Sequence, residues 1–189
     1  PDSATWARLH QLFEVEPDGY MRFRRSLLRD AAYEGLPYKL RRRLHGAVAA
    51  QLEGELDHPE ESADILSLHY FVAGEYGRAW QYASVAGRRA LAVYAYVEAA
   101  RLFTRALDAG RRFPDVRNAE FVAVHEALGD AWTRAGEFRK ASESYTAALR
   151  LVEGDRIKEG GLLVTRSRME ERLVALLATP LVIRTYRGA

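Results

Sequence analysis

The chain has 189 residues, 48% hydrophobic and 29% charged, with a net charge of +2 and no cysteine. That suffices for one or two packed domains. The near-neutral balance excludes nucleic-acid binding by bulk charge, and the missing cysteine excludes disulfides, thiolate nucleophiles and cysteine-ligated zinc. The chain opens Pro1-Asp2-Ser3 with neither a methionine nor a signal peptide, and is read as a piece of a longer protein. Leu173 to Ile183 is apolar but interrupted by Thr179 and Pro180, too short to span a bilayer. No membrane contact is expected, and the expected compartment is the cytoplasm.

Asp2 to His10 reads as a short helix or helix end, with Ser3 able to cap it and Trp6 and Leu9 facing inward. Leu12 to Val15 alternates, Pro17-Asp18-Gly19 signals a turn, and Tyr20 to Arg24 alternates again, which predicts a β-hairpin. Phe13 and Val15 should share a face, as should Met21 and Phe23, and Glu14 and Glu16 can oppose Arg22 and Arg24. Arg25 to Glu34 is a predicted helix with Leu27, Leu28 and Ala31 or Ala32 inside, ended by Gly35 and Pro37. Pro37 opens the next helix, to about Glu53, with an inward stripe of Leu40, Leu44, Ala47, Val48 and Leu52. The acidic linker Gly54 to Pro59 marks the expected boundary between residues 1–54 and 55–189.

From Glu60 a repeat logic begins. Ala73-Gly74-Glu75-Tyr76-Gly77-Arg78-Ala79 echoes Ala135-Gly136-Glu137-Phe138-Arg139-Lys140-Ala141. Ala63, Leu66 and Tyr70 line the helix before the first of these turns, and Ala79, Ala83 and Ala86 the helix after it. Ala99, Phe103, Ala106 and Leu107 match the later stripe of Ala141, Tyr145, Ala148 and Leu149, although the turn from Val93 to Tyr96 lacks a glycine. Ala79 and Ala99 are too close for a full repeat. The economical reading is that the helix from Arg78 to Ala92 is shared, pairing backward with the Glu60 helix and forward with the Val97 helix. Gly110 to Arg117 is a loop. The stretch Ala127 to Leu149 then reads as two helices about a tight turn, with Gly129 and Trp132 on the first and Gly136 as its left-handed cap. Phe138, Ala141, Tyr145, Ala148 and Leu149 form the buried stripe of the second. Leu162 to Leu177 is a further helix, with Pro180 able to start its partner.

This helix pair resembles the tetratricopeptide repeat, of about 34 residues, at Leu128, Gly129, Trp132, Gly136, Phe138, Ala141, Tyr145, Ala148 and Leu149. His125 replaces the family's first large aromatic and Glu153 its closing proline. The resemblance implies a mainly α fold: a tetratricopeptide-like α-solenoid of antiparallel helix pairs, here with a short N-terminal β-hairpin. It also implies protein binding, with the concave face presenting residues such as His125, Asp130 and Arg134. More repeats are expected to follow in the parent protein, because Leu181, Val182 and Ile183 are the wrong surface for a polar cap.

Tyr20 to Leu36, followed by Arg41-Arg42-Arg43-Leu44-His45, is similar to the junction in large bacterial signalling ATPases of the STAND type, above all those linked to class III adenylate or guanylate cyclases. The hairpin then corresponds to the end of a winged-helix segment preceding the repeats, and Ser67 to Tyr70 and Ala79 to Ala83 fit the same pattern. Relatives often carry a histidine after the Phe-Arg of the hairpin, where this chain has Arg25. The chain contains no phosphate-binding glycine loop and no assignable cyclase carboxylates. The resemblance thus implies a non-catalytic, cofactor-free regulatory region whose partner is another protein or the parent's own ATPase or cyclase domains.

His10, His45, His58, His69 and His125 show no zinc-site spacing, and His45 and His69 read as packing residues on amphipathic helices. Glu60-Glu61 and Glu170-Glu171 read as helix-end or exposed carboxylates. Gly87-Arg88-Arg89 and Gly110-Arg111-Arg112 read as solvated helix ends. Between Tyr20 and Val48 lie eight basic residues against two acids. Arg22, Arg24, Arg25, Arg41, Arg42 and Arg43 are therefore a candidate phosphate-contacting patch, the basis of an alternative reading as a nucleic-acid contact.

Overall fold

The computed structural model describes residues 11–17, 21–154 and 170–176. The expected helix at 2–10, the turn residues Asp18 and Gly19, and most of the helix expected from Leu162 lie outside them. The chain divides into two compact units, Pro1–Leu44 and His45–Ala189. The division falls inside a helix rather than in the acidic linker.

In the first unit, strands β1 (Phe13–Val15) and β2 (Met21–Phe23) pair antiparallel, with Phe13 opposite Phe23 and Glu14 opposite Arg22. The Phe13 and Phe23 ring centroids lie 4.4 Å apart. Arg24 clamps the hairpin by donating its Nε to the Phe13 carbonyl at 3.0 Å. Helix α1 (Ser26–Glu34) starts after an extended Arg25 whose carbonyl accepts from Leu28 and Arg29. It buries none of its residues, and Leu27, expected inside, is 77% exposed. Its termini and local hydrogen bonds hold it, not a packed stripe.

Helix α2 (Tyr38–Glu55) follows Pro37, whose carbonyl takes the amides of Leu40 and Arg41. Of its predicted stripe only Leu52 faces inward. Leu40, Leu44, Ala47 and Val48 are exposed, and the inward side carries His45, Gly46, Ala49, Leu52 and Glu53. The cause is polar. Glu53 satisfies three donors on the next two helices, and Gly46 lacks the Cβ that would stand 3.4 Å from Glu75 Oε1. A carboxylate that accepts three charge-assisted hydrogen bonds fixes which side of the helix faces its neighbours.

The second unit continues with a 3₁₀ turn (Pro59–Ser62), then α3 (Ala63–Ala73), α4 (Tyr76–Ala92), α5 (Tyr96–Gly110), α6 (Asn118–Arg134) and α7 (Phe138–Gly154), with residues 170–176 helical. Each helix from α3 to α7 packs chiefly on its neighbours in sequence. As the sequence implied, α4 pairs with both α3 and α5. The core is built largely of alanine: Ala63, Ala79, Ala83, Ala99, Ala100, Ala106, Ala131, Ala141 and Ala148 are all buried. Small side chains let helix axes approach, and the larger rings fill what remains. Phe138, assigned to the inward stripe of α7, is 36% exposed because it is the helix's first residue and sits at the rim.

Three turns share one geometry. The backbone at Gly74, Tyr94 and Gly136 is left-handed, with φ of 81°, 63° and 79°. In each, the left-handed residue donates to a carbonyl three residues back at 3.1 Å, and the next residue donates to one five back at 2.9 Å. This is the paired bond of a Schellman cap. The turn that lacks glycine in the sequence therefore adopts the glycine conformation all the same, with a tyrosine in it.

Candidate interaction surfaces

The shared turn sets a register for the side chains around it. Ser67 and Ala83, Gly87 and Phe103, and Gly129 and Tyr145 are corresponding pairs, each sixteen positions apart. Where the second member is aromatic, the first is glycine. A Cβ built on Gly87 would stand 2.6 Å from the Phe103 ring, and one on Gly129 would stand 2.3 Å from the Tyr145 ring. Gly110 likewise lies under Trp80 and Phe121. Gly87 and Gly110 are thus buried packing sites and not solvated helix ends. The sixteen-residue spacing, visible at Gly129 and Tyr145, was the signal that identifies Gly87.

The predicted repeat positions divide cleanly. Leu66, Tyr70, Ala79, Ala99, Phe103, Leu128, Gly129, Ala141, Tyr145 and Ala148 are buried, and Trp132 is partly buried where the two apolar clusters of this unit meet. Lys140 Nζ lies 4.4 Å from the centre of the Trp132 ring.

Two polar networks tie the helices together. Glu53 of α2 accepts from the Tyr70 hydroxyl, from Tyr82 at 2.6 Å and from Arg78 at 2.6 Å, with the Tyr70 and Tyr82 rings stacked at 5.9 Å. Burial pushes the Glu53 carboxyl up, but the two hydroxyls and Arg78 outweigh it and hold it below its ordinary range. In the second network Asp130 accepts from Tyr145 at 2.6 Å and pairs with Arg172, which also meets Glu126 at 3.1 Å. Burial, then Asp130, pushes the Tyr145 phenol up to about 12. Asp130, expected as a binding-face residue, is therefore already engaged. Arg134 is exposed and lies over the Tyr96 ring.

His45, His69 and His125 behave as packing groups. His45 and His69 bring their rings to 4.8 Å, and burial with the neighbouring His45 lowers His69. Burial, aided by Arg111, drops His125 to about 4, and its Nδ1 is buried without a hydrogen-bond partner. His125 is half-buried and is not a free binding-face residue. Among the described residues, no group of three or more His, Asp or Glu is placed to hold a metal ion, and no helix is long and apolar enough to cross a membrane.

The candidate basic patch is partly neutralised. Arg22 pairs with Glu16 at 3.0 Å and Glu14 at 3.6 Å, and Arg24 approaches Glu14 at 3.8 Å. Arg41 lies over the Tyr33 ring and Arg42 over the Tyr38 ring. Arg25 and Arg43 are exposed. Elsewhere, a groove of about 300 Å³ has an apolar floor of Ala63, Ala86, Ala90 and Leu102 and a rim of Glu60, Glu61, Asp64 and Glu98. Arg89 closes one side by donating to the Glu60 carbonyl. A second cleft of about 270 Å³ lies beside Tyr145 and Arg172.

Glu53 and Asp130 are tied to tyrosines and arginines, and burial lowers His45, His69 and His125. Comparison with family models, with curated proteins and with solved structures gives no match.

Proposed function

We propose that the chain is a non-catalytic protein-interaction scaffold, a tetratricopeptide-like α-solenoid region from the regulatory part of a multidomain signalling ATPase or nucleotide cyclase. The observation that carries the scaffold reading is the common register of three hairpins, with one turn geometry and glycine placed wherever a ring of the next helix arrives. Hairpins built to interlock in this way present an extended surface to a partner. Glu53 and Asp130, two of the chain's carboxylates, are engaged in holding helices together. The link to an ATPase or cyclase rests on the resemblance of the Tyr20 to His45 segment. Purified chain should neither hydrolyse ATP nor form cyclic nucleotide, and turnover above the buffer rate, persisting through repeated purification, contradicts the proposal.

A nucleic-acid contact through Arg22 to Arg43 ranks second, since Arg22 and Arg24 already face carboxylates. A salt-dependent shift of a DNA or RNA probe, lost in Arg41→Glu with Arg42→Glu, would reverse that ranking.

A further inference from the structure

Two of the three left-handed turns place glycine at the left-handed position, and the third places Tyr94 there. For a bulky residue that conformation is strained, and strain of this kind persists where something else requires the side chain. The core does not require it. Tyr94 is 73% exposed and rests edge-on against Tyr96. Val93 and Val97 beside it are 71% and 65% exposed. The tip of the α4–α5 hairpin is thus an apolar patch carried at the expense of its own turn. Arg134 lies over the Tyr96 ring. Tyrosine and arginine are the side chains on which binding energy concentrates at interfaces.

The patch runs into the groove of about 300 Å³, because Val93 and Ala95, the two neighbours of Tyr94, both line it. The groove's rim sets Glu60, Glu61, Asp64 and Glu98 against one lining cation, Arg89, which is turned to the Glu60 carbonyl. Two more arginines stand near. Arg101 holds Glu98 through two nitrogens at 2.9 and 2.5 Å, and Arg105 donates to Ser67 Oγ and the Asp64 carbonyl. Four carboxylates against three guanidinium groups leave a local excess of negative charge, on a chain whose total is +2. Glu60 and Glu61 are exposed and make no ion pair among the described residues. An alanine and leucine floor under a carboxylate rim matches a side chain with an aliphatic stem and a cationic head.

We propose that the α4–α5 tip and its groove dock an extended segment of a partner protein in which an apolar side chain stands close to an arginine or lysine. The apolar side chain covers Val93, Tyr94 and Val97. The basic one lays its stem along the groove floor and its head against Glu60 and Glu61. The proposal rests on the scaffold reading and gives it a place and a partner chemistry. Glycine at position 94 would form the same turn without strain, so the tyrosine serves what it meets outside the chain.

Fluorescence anisotropy of labelled octapeptides on the full chain tests it. One peptide carries two leucines and two arginines among serines, a second has glutamate in place of arginine, and a third has serine in place of leucine. The first should bind, and weakly, since so small a contact buries far less than a stable interface does. The other two should bind at least about tenfold more weakly. Tyr94→Gly should weaken the first by about tenfold or more while the melting temperature stays level or rises slightly. Glu60→Gln with Glu61→Gln should weaken it too, and both positions are exposed. No binding of the first peptide, equal binding of the glutamate peptide, or an affinity indifferent to Tyr94→Gly would each overturn the proposal. Concentration-dependent dimerisation lost in Tyr94→Gly would do the same, because the face would then belong to a second copy of the chain. None of these results touches the scaffold reading, which fails on catalytic turnover instead.

Discussion

The hairpins α4–α5 and α6–α7 solve one packing problem in the same way and differ at the turn and in one buried side chain. Both lay a ring, Phe103 or Tyr145, on a glycine of the preceding helix. Both reverse the chain through a left-handed residue with the same pair of hydrogen bonds. Yet α6–α7 uses Gly136 in that turn, and α4–α5 uses Tyr94, which is 73% exposed. The position four residues before the packing glycine is also unlike: buried Ala83 in one, half-buried His125 in the other. The comparison teaches that ring-on-glycine packing sets the hairpin geometry, and that the turn residue conforms to it.

The largest expected effect separates packing from turn. Gly129→Ala drives a Cβ into the Tyr145 ring and should lower stability by about 3 kcal/mol, the upper end of overpacking penalties, as read by chemical denaturation. A loss no larger than that at a solvent-exposed glycine would break the comparison.

Acid should next distinguish the two hairpins. His125 is held neutral, its pKa falling from 6.5 to about 4 in the fold. Its contribution is complete above the unfolded value and is lost as pH falls from 6.5 through 4. The melting temperature should therefore decline over that window, and His125→Gln should flatten the decline. Equal declines in both proteins would show that His125 is not the group responsible.

At the turns, Gly136→Ala puts a Cβ on a residue with φ of 79° and should cost about 1 kcal/mol. Tyr94→Gly should be the smallest effect and of opposite sign, a gain of a few tenths of a kcal/mol. Relief of the left-handed strain is nearly offset by the greater freedom of glycine in the unfolded chain. A destabilised Tyr94→Gly would mean that the ring contributes contacts beyond its own edge-on approach to Tyr96.

The alanine and glycine pattern made the helices from Ala63 to Gly154 legible, because three- and four-residue spacing around two glycine turns leaves little freedom. The sharing of α4 was legible too, from the twenty residues between Ala79 and Ala99. The orientation of α2 was not. Hydrophobicity pointed to Leu40, Leu44 and Val48, but Glu53 meets partners 17, 25 and 29 residues away, which local periodicity cannot register. The same holds for Asp130 and its contact with Arg172, 42 residues distant. Gly87 and Gly110 looked like helix punctuation because adjacent arginines suggested solvent. What decides their role is the ring that arrives from another helix.

The most direct test is a double-mutant cycle at Gly87 and Phe103, where the contact is wholly apolar. Gly87→Ala alone should cost about 2 kcal/mol, since its Cβ would lie 2.6 Å from the ring. In a Phe103→Ala background the same change should cost nothing or stabilise by up to about 1 kcal/mol, because alanine is then simply the better helix former. Equal costs in the two backgrounds would show that the ring does not rest on the glycine, and would contradict the packing rule on which the interlocked hairpins depend.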